Sequence, residues 1–228
     1  MPHHRAMDSS APPSSVPLPA RAARRSRGRP TREEGAALRE GILDAALQVF
    51  IARGLKAASM EGIARAAGVA KITLYRHYET KEELFVEVAR RAQLSVRARL
   101  DEIGDVEVPV ETALRRIITR LYDGYTHPDY IAVMRMVIAE AGRFPKLGRA
   151  MLADAEQISE PLVRYLEQLK ARGLIELESP FDAAVQISGM TSGAGRFVLQ
   201  PPSRRPASRR RWIESLVTLF VRAWRPLP

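Results

Sequence analysis

Ser59–Lys81, SMEGIARAAGVAKITLYRHYETK, is the stretch that decides the fold. Apolar and small residues such as Ile63 and Ala64 recur there at the spacing of one helical face. Ser59 stands where an N-cap hydroxyl accepts from an unpaired backbone N–H of the first turn. Gly68 stands where a left-handed residue ends a helix. The pattern predicts a short helix, a tight turn and a second short helix.

The second short helix, Lys71–Tyr78, is basic and aromatic. Within it lie Lys71, Thr73, Tyr75, Arg76 and His77. A short helix of this kind, held against a small-residue helix by a glycine turn, is typical of a helix-turn-helix unit that enters the major groove of DNA. Thr80 and Glu83 fit a capping box at the start of the next helix. The alternative is a set of amphipathic core helices with incidental charge.

A longer helix precedes this unit. From Arg39 to Arg53, one helical face is apolar; it carries Ile42, Leu43, Ala46, Val49 and Phe50. Gly54 ends the helix, and Leu55–Ala58 connects it to Ser59. Packed across the two short helices, it would hold them at a fixed angle as a three-helix unit.

The rest of the chain predicts helices without strand alternation, which indicates an all-α fold. The further helices cover residues 82–100, 110–125, 129–143, 146–172, 180–199 and 207–224, making about nine in all. Three parts follow from this reading: a disordered basic arm over 1–35, a helix-turn-helix domain over 36–83 and a second helical domain over 84–228.

Residues 42–85, ILDAALQVFIARGLKAASMEGIARAAGVAKITLYRHYETKEELF, resemble the DNA-binding domain of the TetR family of transcriptional regulators. Residues 122–151, YDGYTHPDYIAVMRMVIAEAGRFPKLGRAM, resemble the C-terminal domains of its AcrR/AefR-like branch. The resemblance implies a homodimer in which each subunit joins a DNA-binding domain to a larger ligand-binding and dimerisation domain. It also implies release of DNA when a ligand changes the distance between the two DNA-binding domains of the dimer.

The resemblance extends to the DNA contacts. Lys71, Ile72 and Thr73 match base-edge readers, and lysine can donate to guanine O6 or N7. Tyr75, His77 and Lys81 match phosphate contacts, and Arg76 can reach a base or a phosphate. Ser59, at a helix N-terminus, is placed to donate to a phosphate. His77 has a structural alternative, in which its ring stacks within the protein. Ala70 departs from the family's usual serine or threonine cap, which costs on the order of 1 kcal/mol.

The N-terminal arm concentrates positive charge in RAARRSRGRPTR, residues 21–32. Arg27 and Arg29 flank a glycine, as in an AT-hook core, and a narrow A·T minor groove attracts arginine. The hypothesis is an arm that adds minor-groove and phosphate affinity. The alternative is a solvated tail whose attraction to DNA is screened.

The second domain has to provide a dimer seam and an effector pocket. By the family resemblance, the dimer interface uses the last two predicted helices, of which the first carries small residues at Gly189, Ser192, Gly193, Ala194 and Gly195. Ordinary packing within one chain is the alternative. Candidate pocket residues are Tyr122, Met134, Ile138, Phe144, Met151, Tyr165 and Met190. Methionine suits adaptable apolar sites, although such a stripe also fits a plain core. We expect a small apolar or aromatic effector.

Composition limits the function classes. The chain has 228 residues, a formal net charge of +10 and no cysteine, which favours a polyanionic partner and excludes disulfides. No apolar run reaches the ~18 residues that span a bilayer, and a cytoplasmic protein without membrane attachment is expected. No paired nucleophile and base, phosphate loop or metal-ligand spacing is present, so we expect neither an enzyme nor a cofactor.

The sequence therefore predicts a DNA-binding regulator, in the first instance a repressor that binds a palindromic operator as a dimer and is released by a small molecule. An activator or a ligand-independent regulator of the same fold is the alternative. A helical enzyme or a membrane-surface protein is more distant.

Overall fold

The computed structural model describes residues 31–100, 108–193, 195–202 and 205–226, apart from the side chains of 152–156 and 158. Within these ranges every regular element is a helix, so the predicted all-α class is confirmed. The helices are α1 (Arg32–Ala57), α2 (Met60–Ala66), α3 (Lys71–His77), α4 (Lys81–Leu100), α5 (Val110–Tyr125), α6 (Pro128–Glu140), α7 (Pro145–Ala171), α8 (Pro180–Thr191), α9 (Arg196–Leu199) and α10 (Pro206–Ala223). Arg27 and Arg29 lie outside the described residues.

Helix α1 begins earlier than the apolar periodicity predicts. Thr31 accepts from the backbone N–H of Glu34 through its Oγ1, at 3.2 Å, and Glu34 accepts from the backbone N–H of Thr31 at 2.9 Å. This capping box starts the helix inside the segment assigned to the basic arm. The regular course of α1 ends at Gly54, as predicted, where φ is +72°.

Two apolar cores form, and α4 belongs to both. Its first half contributes Leu84 and Phe85 to the N-terminal core, which it shares with α1, α2 and α3. Its second half contributes Val96 and Leu100 to the C-terminal core, which it shares with α5, α7, α8 and α10. Val137 of α6 and other residues of α6 and α7 also pack into the first core. The predicted boundary after residue 83 therefore lies within continuous packing.

The predicted helix over 180–199 is interrupted. Gly193 and Gly195 have φ of +71° and +86°, conformations that a helix does not contain, and α8 stops at Thr191. The four-residue α9 follows. In the described residues this break accounts for a tenth helix beyond the predicted nine. Helix α7, in contrast, continues through Pro161.

Two arginine clusters and one glycine hold the C-terminal helices together. Arg115 of α5 donates to both carboxylate oxygens of Glu214 on α10, at 2.8 and 2.9 Å. Arg209 of α10 donates to both oxygens of Asp123 on α5, at 2.9 and 2.7 Å. At Gly124, a Cβ atom would lie 3.2 Å from Val96, so the absence of a side chain lets α4 and α5 approach closely.

Candidate nucleic-acid interface

The turn between α2 and α3 fixes the angle of the candidate reading helix. Gly68 adopts φ of +66°, the left-handed conformation that glycine tolerates. Its N–H donates to the carbonyl of Arg65 at 3.2 Å, and the N–H of Val69 donates to that of Ala64 at 3.0 Å. This pair of bonds is a Schellman motif. Leu74 on α3 is fully buried against the N-terminal core, which sets the outward face of the helix.

The N-terminus of α2 lies at the same surface. Ser59 caps it as predicted, because its Oγ accepts from the N–H of Gly62 at 3.1 Å. The residue is exposed. A serine hydroxyl that accepts one bond still has its own proton to donate, so the geometry leaves Ser59 able to bind a phosphate oxygen.

Helix α3 presents polar and apolar side chains to solvent. Lys71, Tyr75, Arg76 and His77 are exposed, and Thr73 is half-buried. Ile72 is 80% exposed, which is unusual for a large apolar residue on a helix with a buried opposite face. The structure therefore brings the six α3 candidates to one helix beside Ser59. His77 lies with its ring centroid 6.4 Å from that of Tyr78, a tilted arrangement at the edge of the surface.

Ala70 provides no side-chain cap for α3. The first backbone bonds of the helix run from the N–H groups of Thr73 and Leu74 to the carbonyl of Ala70, at 2.9 and 3.2 Å. The N–H groups at the start of a helix carry partial positive charge. The N–H groups in the first turn of α3 thus have no cap from the side chain of Ala70.

Lys71 is engaged in contacts that its spacing did not reveal. Its Nζ forms an ion pair with Glu61 of α2, and it lies 5.6 Å from the centroid of the Tyr75 ring. The hydrogen bond and charge of Glu61 raise the pKa of Lys71, and Lys71 in turn lowers the pKa of Glu61. Sequence analysis missed Glu61, because the two residues meet only through the turn between α2 and α3.

Lys81 occupies a different position from the other candidates. Its Nζ donates to the backbone carbonyls of Lys56 and Ala58, at 3.0 and 3.2 Å. Lys56 lies in the last turn of α1 beyond Gly54, and Ala58 follows the helix in the connection to α2. Lys81 therefore ties the start of α4 to that connection, and a phosphate would have to share or replace these bonds.

The seven effector candidates do not lie together, because they are divided between the two cores and the surface. Tyr122 and Tyr165 are buried in the C-terminal core, whereas Met134, Phe144 and Met151 pack in or against the N-terminal core. Ile138 and Met190 were expected to face inward, but they are 62% and 44% exposed. On α6 the buried residues are Ile131, Val133 and Val137, so the predicted helical face was displaced by one residue at Ile138.

A cleft of about 300 Å³ opens between α4 and α8, and none of the seven candidates is among the described residues that line it. Its lining includes Gln93 of α4, Tyr125 of α5, Tyr130 of α6 and Ser188 of α8. Tyr125 hydrogen-bonds Ser188, and burial raises the pKa of both tyrosines, which keeps their hydroxyls neutral. The Oε1 atom of Gln93 is buried and has no hydrogen-bond partner among the described residues.

Other site classes receive no support in the described ranges. They contain no group of three or more histidine, cysteine, aspartate or glutamate residues placed to hold a metal ion. No helix in that part of the chain is long and apolar enough to cross a bilayer.

Comparison with known proteins gives one consistent result. Residues 42–88 match the profile of bacterial regulatory proteins of the tetR family, and residues 112–226 match that of the C-terminal domain of AefR-like transcriptional repressors. The chain is 42% identical over 157 residues to the transcriptional activator FasR of Mycolicibacterium smegmatis, which covers 69% of this chain and 63% of that protein.

Solved structures agree over nearly the whole of their length. A putative TetR-family transcriptional regulator from Mesorhizobium loti is 29% identical with a TM-score of 0.71, over 83% of this chain and 98% of that chain. The flavonoid-responsive regulator FrrA is 28% identical with a TM-score of 0.69, over 85% of this chain and 100% of that chain. The similar proteins are regulators of transcription and not enzymes.

Proposed function

Because the chain belongs to the TetR family and is a DNA-binding transcriptional regulator, we propose that it is a repressor that binds a palindromic operator as a homodimer and leaves it when a small aromatic effector binds. The observation that carries the proposal is the surface of α3, where a lysine, an arginine, a histidine and an 80% exposed isoleucine stand on one short helix.

In this proposal the contacts divide along α3. Lys71, Ile72 and Thr73 read base edges at the N-terminal end, where lysine donates to guanine and isoleucine packs on a thymine methyl. Tyr75, Arg76 and His77 lie further along the helix and face the flanking phosphates. Replacing a base reader relaxes preference at one position by about 1–3 kcal/mol, whereas replacing a phosphate contact weakens binding to every sequence.

Ser59 and the N-terminal arm complete the proposed DNA contacts. Ser59 donates its hydroxyl to a phosphate at the positive end of α2. Arg27 and Arg29 add minor-groove contacts from the arm. Removal of residues 1–30 should weaken operator binding and flatten its dependence on salt, since each lost phosphate contact reduces the slope of log K against log salt by about 0.9. Unchanged affinity and slope would reject the arm.

The homodimer is proposed to form through α8 and α10. Phe181 and Val185 of α8 and Leu219 of α10 are 42%, 48% and 46% exposed in the single chain. At Gly189 on α8, no described atom outside its chain neighbours and the helix backbone lies within 4 Å of the position that a Cβ would take, so packing among the described residues does not account for this glycine. A second copy laid against these helices would cover the apolar side chains and would lie beside the cleft between α4 and α8, which Phe181, Val185 and Gly189 also line.

The cleft between α4 and α8 is the proposed effector site. Its volume lies at the lower end of the range for small-molecule pockets. The neutral hydroxyls of Tyr125 and Tyr130 offer donors, and the buried Oε1 of Gln93, which accepts no hydrogen bond from a described residue, requires one. These groups suit a flat aromatic molecule with hydroxyl groups. The structural similarity to a flavonoid-responsive regulator supports the same class.

A gel shift on the DNA upstream of the protein's own reading frame tests the operator proposal. We expect a retarded complex on one palindrome and competition only by that palindrome. Lys71→Ala and Thr73→Ala should each relax preference at one base pair. If the protein binds no palindrome, or if Lys71→Ala leaves specificity intact, the proposal for the reading helix fails.

The same complex tests the effector. A trihydroxyflavone should release the DNA at concentrations where decanoate, a flexible carboxylate, does not. Gln93→Leu should abolish the release, because it removes the buried acceptor, and should leave DNA affinity unchanged. Release by decanoate alone, or an unaltered response in Gln93→Leu, would contradict the proposed site and ligand class.

An activator is the second candidate, and one comparison favours it. The activator FasR shares 42% identity with this chain over 157 residues. A promoter fusion separates the two functions, because deletion of a repressor raises expression and deletion of an activator lowers it.

A further inference from the structure

A carboxylate lies on the candidate reading surface, where a DNA-binding protein would be expected to present positive charge. Glu61 is in the first turn of α2, two residues after the N-cap Ser59. Its side chain is 50% exposed and is paired with Lys71, which is 57% exposed. The pair sits at the end of α3 from which base edges are proposed to be read.

The turn between α2 and α3 makes the pair. Glu61 and Lys71 lie at the N-terminal ends of two successive short helices, and the Schellman motif at Gly68 folds the second helix back beside the first. Lys71 also lies over the Tyr75 ring. Its ammonium group is thus held at a definite place on the surface, and only part of its hydrogen-bonding capacity is used, since an ammonium has three N–H donors.

The carboxylate of Glu61 affects a charged acceptor and a neutral acceptor near Lys71 differently. A phosphate that approaches Lys71 must come close to Glu61, and the two negative charges repel. The O6 and N7 atoms of guanine are acceptors without a net charge. They can take the remaining N–H groups of Lys71 while the ion pair to Glu61 stays intact.

We infer that Glu61 is a specificity-determining residue, which keeps Lys71 from binding phosphates and reserves it for the neutral edge of a base. The inference rests on the proposed role of Lys71 as a base reader. Glu61 therefore raises the ratio of operator affinity to non-specific affinity, because it lowers the non-specific affinity.

The test compares Glu61→Gln with the wild type on two duplexes of equal length, the palindrome and a scrambled sequence. On scrambled DNA we expect affinity to rise roughly two- to fivefold, the range of an exposed ion pair. The slope of log K against log salt should steepen by about 0.9, since Lys71 becomes free to neutralise one phosphate. Operator affinity should rise less, so that the specificity ratio falls.

Two controls separate pairing from a general change of charge. Glu79→Gln removes the same charge from an exposed residue beyond the opposite end of α3 and should give a smaller change. In a Lys71→Ala background, Glu61→Gln should lose most of its effect. The inference is overturned if Glu61→Gln leaves the slope unchanged, if Glu79→Gln matches it, or if the effect persists without Lys71.

The scrambled duplex keeps this test independent of the operator. If the wild type binds no palindrome, the proposed function fails, while the salt slope on scrambled DNA still reports whether Glu61 withholds Lys71 from phosphates. If the palindrome is bound and Glu61→Gln changes nothing, only the inference fails.

Discussion

Replacing Gly68 by alanine should loosen the turn that sets the reading helix. Gly68 has φ of +66°, and no described atom lies within 4 Å of the position that the Cβ of alanine would take. The substitution is therefore penalised by backbone conformation and not by a steric clash. A left-handed conformation costs an L-residue about 1–2 kcal/mol. Alanine also reduces the freedom of the unfolded chain, which offsets about 0.4–1 kcal/mol. A net loss of about 0.5–1 kcal/mol is expected.

Gly41 provides the matched control. It lies inside α1, is exposed, and likewise has nothing within 4 Å of a built Cβ. Gly41→Ala should stabilise the helix by about 0.5–1 kcal/mol, since alanine is the better helix former. Both variants change the unfolded chain alike, so the difference between them, about 1–2 kcal/mol, reports the left-handed turn itself.

Urea unfolding followed by circular dichroism, together with hydrogen exchange at the Val69 amide, measures the effect. That amide donates to Ala64 across the turn. Trp212 and Trp224 belong to or pack against the C-terminal core, so their fluorescence should be unchanged. The reasoning is refuted if Gly68→Ala is as stable as Gly41→Ala, or if protection at Val69 is the same in both.

Three further outcomes follow from the contacts described. Lys81→Met should lower the free energy of unfolding in urea by about 1–2 kcal/mol, because the carbonyls of Lys56 and Ala58 lose a charged donor. The control Lys56→Met changes an exposed side chain and should not; equal stability of the two variants would contradict a structural role for Lys81. The hydrogen bond from Arg115 lowers the pKa of Glu214, so the ion pair contributes less than about 1 kcal/mol to the free energy of unfolding above pH 4.5 and loses this contribution as the pH falls below it. The stability of Glu214→Gln, measured in urea, should therefore fall less between pH 5 and lower pH than that of the wild type; the same decline in both would refute this. Burial raises the pKa of Tyr130 above its usual 10.0, so the folded state loses stability as the pH rises beyond 10.0 and the buried hydroxyl is forced to ionise. The free energy of unfolding of Tyr130→Phe should therefore fall less with rising pH than that of the wild type, and a parallel decline would argue against burial.

The signals that sequence analysis interpreted correctly act over a few residues. Ser59 caps α2, Gly54 and Gly68 take left-handed conformations, and Thr80 accepts from the N–H of Glu83. Each depends on chain neighbours within one helical turn, so the residue types alone indicate the geometry. The capping box that opens α1 at Thr31 obeys the same rule, but it lay inside a segment assigned to the arm by its composition.

The features that were missed arise from contacts between helices. The partners of Lys71 and Lys81 are ten and about twenty-five positions away, and no periodicity points to them. At Ile138 the apolar run of α6 permits more than one inward face, and packing chose Val137 instead. The cleft is likewise assembled from several helices, which is why a search for methionine and aromatic residues along the chain did not find Tyr125 and Gln93.

The sharing of α4 between the two cores bears on how such regulators can be recombined. A reading head cut out after residue 83 would lose Leu84, Phe85 and the α6 and α7 side chains that complete its interior. A chimera made at that point would inherit the recognition helix without the packing that supports it. A graft of this operator preference onto another regulator should therefore transplant the α3 surface alone, with Glu61, onto a host that keeps its own fourth helix.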